Sequence, residues 1–131
     1  MIRVPVDAKP MIMIYFTTQD RIVIKLNREA LKKIGTNYGY HVKFGISKNR
    51  IYFDKARRDE KQIAWKVCQN GSNGYMCVSG KEDAHKEFSE LIKSGNYGYY
   101  YMYHDSVREM WYIDLNKRCY ENLRRKNMRY S

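Results

Sequence analysis

The chain has 131 residues, 44% of them hydrophobic, and carries 25 Lys and Arg against 14 Asp and Glu, a net charge of +11. That is one domain's worth of sequence, long enough to withdraw roughly two thirds of its unfolded surface from water, so a core is expected without disulfide or metal staples. The composition excludes a disordered chain, no apolar run approaches the roughly 18 residues of a membrane helix, and a charge above the usual range of about 2–8 favours polyanionic partners.

Residues 1–10, broken by Pro5 and Pro10, read as an extended lead-in; Arg3, Pro5 and Asp7 are not the beginning of a signal peptide. Met11 to Phe16 and Arg21 to Leu26 predict a β-hairpin about the turn Thr17 to Asp20. Asn27 is a helix N-cap, Leu26 and Leu31 occupy the hydrophobic-staple positions, and Gly35 is a left-handed stop, so a helix is predicted over Arg28 to Ile34. Tyr40 to Ile46 and Arg50 to Asp54 predict a hairpin around Ser47-Lys48-Asn49. The polar stretch Lys55 to Lys61 reads as a joint. Beyond it, Gln62 to Gln69 and Tyr75 to Val78 predict another hairpin, turning near Asn70 to Gly74. Ser79 with Glu82 forms a capping box, and Ala84, Phe88, Leu91 and Ile92 share one helical face. Tyr97 to His104 and Glu109 to Leu115 predict a last hairpin, and Asn116 caps a predicted basic helix from Lys117 to Met128.

Asn37-Tyr38-Gly39-Tyr40 recurs as Asn96-Tyr97-Gly98-Tyr99, each time between a helix ending in Gly and a hairpin. Ile51-Tyr52-Phe53-Asp54 is echoed by Trp111-Tyr112-Ile113-Asp114. One supersecondary unit is written twice. The expected fold is a single α+β domain over 1–131, built from two tandem ββαββ units related by a pseudo-two-fold. These are a half at 11–54, a joint at 55–61, a half at 62–115, then the helix at 117–128. Two such halves can bury one another as a small β-barrel or as packed antiparallel sheets.

Arg21 to Ile24, Leu26 to Gly35, Val42-Lys43-Phe44 and Arg50 to Phe53 resemble the AbrB-type swapped-hairpin family, which includes MazE-like antitoxins. The resemblance covers about a quarter of the chain. It implies two ββαββ units intertwined as a small DNA-binding barrel, here fused in tandem, with Arg21 at the strand-start position of the DNA-binding face. The family's usual Gly before that Arg and Pro after the strand are replaced by Asp20 and Lys25.

Catalytic chemistry is poorly supplied. His41, His85 and His104 stand at no motif spacing from a Ser, Cys or carboxylate, and no phosphate-binding or dinucleotide glycine pattern occurs. Cys68 would face Cys77 if Gly71 to Gly74 form a four-residue loop, but a metal would need four ligands, and only Cys119 and His85 remain to be recruited. No catalytic residue, metal or cofactor is therefore expected. The three cysteines, an odd number, fit a reducing cytoplasm, the host's if the protein is viral.

The basic and aromatic residues carry the functional expectation. Arg21 and Lys25 share a strand face, Arg28 and Lys32 a helix face with Lys33 beside them, and Lys117, Arg118, Arg124, Arg125, Lys126 and Arg129 crowd the C-terminal segment against Glu121. Period two puts Tyr99 and Tyr101 on one face, with Tyr100 and Met102 on the other; one face is core and the other an aromatic platform able to stack bases. These residues predict a non-enzymatic nucleic-acid-binding protein, DNA or RNA, acting as monomer or homodimer and using phosphate contacts. The alternative is a phage anti-defence inhibitor, in the manner of an anti-CRISPR, docking on a nucleic-acid-processing host protein. Tyr and Arg suit such an interface, and the Lys, Ile, Asn and Tyr usage fits an AT-rich phage or bacterial genome.

Overall fold

Ile12 and Ile14 alternate on one strand and Ile22, Ile24 and Leu26 on the next, and all five are almost wholly buried; this period of two sets the architecture. The computed structural model describes residues 9–16, 22–71, 73–78, 86, 90, 95 and 97–119. In chain order they form β1 (Met11–Phe16), β2 (Ile22–Leu26), α1 (Arg28–Ile34), β3 (His41–Ser47), β4 (Arg50–Lys55), a 3-10 segment (Arg58–Ile63), β5 (Trp65–Lys66), β6 (Cys68–Asn70), β7 (Asn73–Val78), β8 (Gly98–Asp105) and β9 (Met110–Cys119). Every strand pairing is antiparallel.

One sheet holds all nine strands in the order β5-β3-β4-β9-β8-β1-β2-β7-β6. Its two end strands, β5 and β6, are separated in sequence by Val67 alone. The Val67 N–H donates to the Tyr40 carbonyl (2.8 Å), and its own carbonyl accepts from the Gly39 N–H (2.7 Å). A single run, residues 65–70, thus pairs with β3 through its first part and with β7 through its last. It brings the two edges together and nearly closes the sheet into a barrel.

The pairings are interleaved between the two parts of the chain. β1 pairs with β8 and β3 with β5, while β2 meets β7 and β4 meets β9. Each crossing in one direction has a counterpart in the other, so neither part closes a core alone. The interior is a single cluster in which Ile14, Ile24, Val42, Ile51, Met76 and Ile113 are fully buried.

The helix α1 forms as its caps require. Asn27 is buried, yet each polar atom of its side chain is partnered: Oδ1 accepts from the N–H of Ala30 (2.8 Å) and of Met11 (3.0 Å), and Nδ2 donates to the Lys9 carbonyl (2.9 Å). Gly35 stops the helix at φ 83°, a conformation costly for a residue with a Cβ. Ala30, Leu31 and Ile34 are buried against the barrel, leaving Arg28, Lys32 and Lys33 outward.

Three expectations are corrected. The fold is mostly β, not α+β, and among the described residues α1 is the one complete α-helix; the capped helix expected after Ser79 lies outside them apart from Lys86 and Glu90, both helical. The basic helix expected from Lys117 does not begin there, because Tyr99 and Tyr100 pair with Cys119 and Arg118. β8 runs back to Gly98, and its partner must continue as strand to match it; Asn116 caps no helix, its N–H instead donating to Asp114 Oδ1 (2.9 Å). Residues 120–128 lie outside the described residues. Finally, the β6–β7 turn is tighter than expected: Asn70 pairs with Asn73 and Cys68 with Tyr75. Cys77 pairs instead with Val23 on the neighbouring strand.

Candidate nucleic-acid interface

The inward residues Ile51 and Phe53 on β4, and Ile113 and Leu115 on β9, force their neighbours Tyr52 and Tyr112 onto the outer wall. Tyr52 and Tyr112 stand directly opposite one another in the β4–β9 register, with ring centroids 5.3 Å apart. On the next strand Tyr103 pairs with Tyr112 at 5.9 Å. Three strands therefore lay three neighbouring phenol rings along the outer side of the barrel, Tyr103 and Tyr112 half-buried and Tyr52 buried beneath its neighbours.

Cations cover this run. The Arg50 guanidinium lies 4.2 Å from the Tyr112 ring centre, that of Arg108 4.8 Å from Tyr52, and the Lys117 ammonium 4.9 Å from Tyr103, all within cation–π range. The pattern continues around the wall with Lys9 over Tyr101 and Lys25 over Tyr15, both at 5.8 Å. Such contacts hold long flexible side chains over the aromatic surface.

Hydrogen bonds fix the centre of the site. The Tyr52 hydroxyl accepts from Arg50 Nη1 (3.1 Å) and donates to Asp105 Oδ2 (2.9 Å). Asp105 Oδ1 takes the backbone N–H of Val107 (3.0 Å) and of Arg108 (3.2 Å), shaping the β8–β9 turn. The Arg108 backbone N–H, then the Tyr52 hydroxyl, hold the Asp105 carboxyl below its ordinary range, and the bond to Tyr52 strengthens the proton affinity of Arg50. Asp105 orients Tyr52 and Arg50 and stays ionised at neutral pH.

Between Ile113 and Arg118 the β8–β9 pairing is irregular. There Asp114 stays paired with Arg50 across to β4, while the Leu115 N–H reaches the Asn49 carbonyl (2.8 Å). Beside this irregularity, of the kind a bulge produces, a cleft of about 390 Å³ lies between Arg50, Tyr52, Arg108, Asn49, Asp114 and Asn116.

The residues singled out in the sequence are distributed as follows. Tyr99 and Tyr101 lie half-buried on the outer wall, and Tyr100 and Met102 are core; burial pushes the Tyr101 phenol up. Lys25 lies on the same wall. Arg28, Lys32 and Lys33 are exposed on α1, Lys32 3.8 Å from Glu29 and Lys33 5.4 Å from the Trp111 ring centre. Lys117 and Arg118 are on β9. Lys117 joins the tyrosine run, but Arg118 has a structural role: its Nη1 donates to the carbonyls of Gly95 (2.6 Å) and Tyr97 (2.9 Å). Arg21, Arg124, Arg125, Lys126 and Arg129 lie outside the described residues. Sequence reasoning missed Arg50, Tyr52, Arg108 and Tyr112. The signal was present in the repeated Ile-Tyr-Phe-Asp and Trp-Tyr-Ile-Asp, where alternation turns each Tyr outward. Nothing local to Arg50 or Arg108 announces that they converge.

Among the described residues no group of His, Cys, Asp and Glu could hold a metal, and no helix is long and apolar enough to cross a membrane. A scan against protein-family models, a search of curated proteins and a search of solved structures each found no match to the chain.

Proposed function

We propose that the protein binds single-stranded nucleic acid on the outer wall of its barrel, without catalysing a reaction. The observation that carries this reading is the unbroken run Tyr103–Tyr112–Tyr52 with Lys117, Arg50 and Arg108 laid over it. Positive charge and aromatic surface are brought together there on strands spaced about 4.8 Å apart. Sequence-tolerant strand binding combines these same two elements, a basic track for the backbone and planar groups on which bases stack. Guanidinium planes serve for stacking as aromatic rings do, so Arg50 and Arg108 can act in both ways. The net charge of +11 supplies long-range attraction to a polyanion.

The interleaved pairing of the two halves also supports the kinship with swapped-hairpin barrels that residues 21–55 suggested. The proposed surface differs from the sequence-derived one: it centres on β4, β8 and β9, not on the stretch Arg21 to Lys33. Fluorescence anisotropy with labelled single-stranded DNA, single-stranded RNA and duplex DNA, at low and at moderate salt, tests the reading. Binding to single strands that weakens with salt supports it. No binding at low salt refutes it and turns attention to a protein partner, the role of an inhibitor of a nucleic-acid-processing enzyme.

A further inference from the structure

The repeat makes the two halves of the outer wall comparable position by position. Ile51 to Asp54 corresponds to Trp111 to Asp114, so Arg50 corresponds to Met110. In the hairpin pairings Arg50 faces Ser47 and Met110 faces Asp105, so Ser47 corresponds to Asp105. The turn Lys48–Asn49 of the first half is replaced by the longer turn Ser106–Glu109 in the second, and Arg108 belongs to that added length. The scaffold is doubled, but Arg50, Asp105 and Arg108 meet on only one side of the Tyr52–Tyr112 pair. The polar cleft of about 390 Å³ opens there, within the size range of small-molecule sites, roughly 300–1,000 Å³.

We infer that this cleft takes one nucleotide unit, its phosphate between Arg50 and Arg108 and its base edge against Asp114, with guanine the preferred base; this rests on the strand-binding reading above. Arg50 and Arg108 are stacked on rings that are themselves neighbours, and two guanidinium groups so held present forked donors to one anion. Asp114 is cross-strand partner to Arg50, yet Arg50 reaches the other way, to Tyr52 and to Asp105, whose Oδ2 is 3.8 Å from its Nη1. Among the described residues Asp114 forms no ion pair within 4 Å. Its Oδ1 accepts the Asn116 N–H, and the remaining acceptor capacity of the carboxylate lines the cleft.

An ionised carboxylate only accepts hydrogen bonds. Guanine alone among the common bases offers it two adjacent donors, N1–H and the N2 amino group. Adenine and cytosine offer one amino group beside an acceptor, and uracil one imide N–H between two carbonyls. Asn49 and Asn116, whose amides both donate and accept, are placed to meet the other base and sugar atoms.

The test is an NMR titration of the full chain with guanosine 5′-monophosphate, adenosine 5′-monophosphate, guanosine and inorganic phosphate. It is repeated on Arg108→Ala and Asp114→Asn, neither of which removes a buried group. Guanosine monophosphate should perturb the amides of Asn49, Arg50, Arg108 and Asp114 and bind more tightly than guanosine or phosphate alone. Arg108→Ala should weaken it roughly tenfold, and Asp114→Asn should abolish its advantage over adenosine monophosphate. Equal affinity for the two nucleotides in the parent protein, or perturbation elsewhere, overturns the inference. Single-strand binding measured on the same variants separates this failure from the broader one. Strand binding that weakens in Arg108→Ala but is unchanged in Asp114→Asn, with no response to guanosine monophosphate, overturns the cleft and leaves the wall standing. Guanosine monophosphate binding without strand binding supports the cleft as a free-nucleotide site and overturns the strand reading.

Discussion

Tyr52 lies directly opposite Tyr112 across β4 and β9, with their ring centroids 5.3 Å apart and their planes at 41°. The two residues occupy the same position of the two repeated strands, Ile51 to Asp54 and Trp111 to Asp114. Their surroundings are unequal. Tyr52 is buried under Arg108 and bonded to Asp105, whereas Tyr112 carries Arg50. The repeated strands thus present a one-sided surface, and the proposed function resides in the difference.

Tyr112→Ala should weaken single-strand binding by the value of one stacked base, about 1–3 kcal/mol. Tyr112→Phe should leave affinity close to the parent's, because a ring is needed there and the hydroxyl is not. Titrations of both variants, paired with thermal melts to show that each is folded, check this. Equal losses in the two variants would remove stacking on Tyr112 from the account.

Affinity should fall linearly in log–log form with salt, the slope being about −0.7 for each single-strand phosphate neutralised. Removing one contacting cation should lower the slope by about that amount. Lys117→Ala and Arg108→Ala are the variants expected to do so. Arg28→Ala, on the exposed surface of α1, should leave the slope unchanged. A salt series on the parent and three variants decides between the outer wall and the helix as the phosphate track.

Much of this architecture was legible in the sequence, for identifiable reasons. The β1–β2 hairpin, α1 with its Asn27 and Gly35 caps, and the β3–β4 hairpin are written in local chemistry: alternation, a capping side chain and a left-handed glycine. The closure at Val67 was not legible, because a run of six residues that pairs left with one strand and right with another looks like any short strand. The end of β9 was misread because Asn116 followed by basic residues imitates a helix start, while its real determinant, the length of β8, lies elsewhere in the chain. The candidate site shows the same division. The tyrosine alternation put Tyr99 and Tyr101 on the outer wall, but the convergence of Arg50 with Arg108 depends on a long-range register.

Stability should decline on acidification, in part through Asp105 and Glu60. Hydrogen bonds from the Arg108 N–H and the Tyr52 hydroxyl depress the Asp105 carboxyl, and a hydrogen bond from Lys43 depresses that of Glu60. A carboxyl with a lower pKa folded than unfolded contributes fully above the ordinary carboxylate range and loses that contribution as pH falls through its folded value. Unfolding free energy measured against pH should therefore be level near neutrality and fall below about pH 5. Asp105→Asn, with no proton to take up, should be less stable near neutrality and show a shallower acid decline. An undiminished slope in that variant would mean Asp105 is not among the groups responsible.

Two glycines in the barrel should respond oppositely to a methyl group. At Gly74 a Cβ would stand 2.7 Å from Val67 Cγ1 and 3.2 Å from Leu31 Cδ2, where the 65–70 run and α1 pack together. Gly74→Ala should cost about 1–3 kcal/mol through overpacking. At Gly45 nothing lies within 4 Å of the added atom, and Gly45→Ala should stabilise by about 0.4–1 kcal/mol through the unfolded chain. Chemical denaturation of both variants tests the packing at the seam that closes the barrel.

The most direct test of the central claim is an anisotropy titration of labelled single-stranded oligonucleotide with the parent protein and with a Tyr103→Ala, Tyr112→Ala double variant shown to be folded. The account predicts salt-sensitive binding by the parent, preference for single strand over duplex, and a loss in the double variant larger than in either single variant. Binding that is absent at low salt, or that is untouched by removal of both rings, would contradict it.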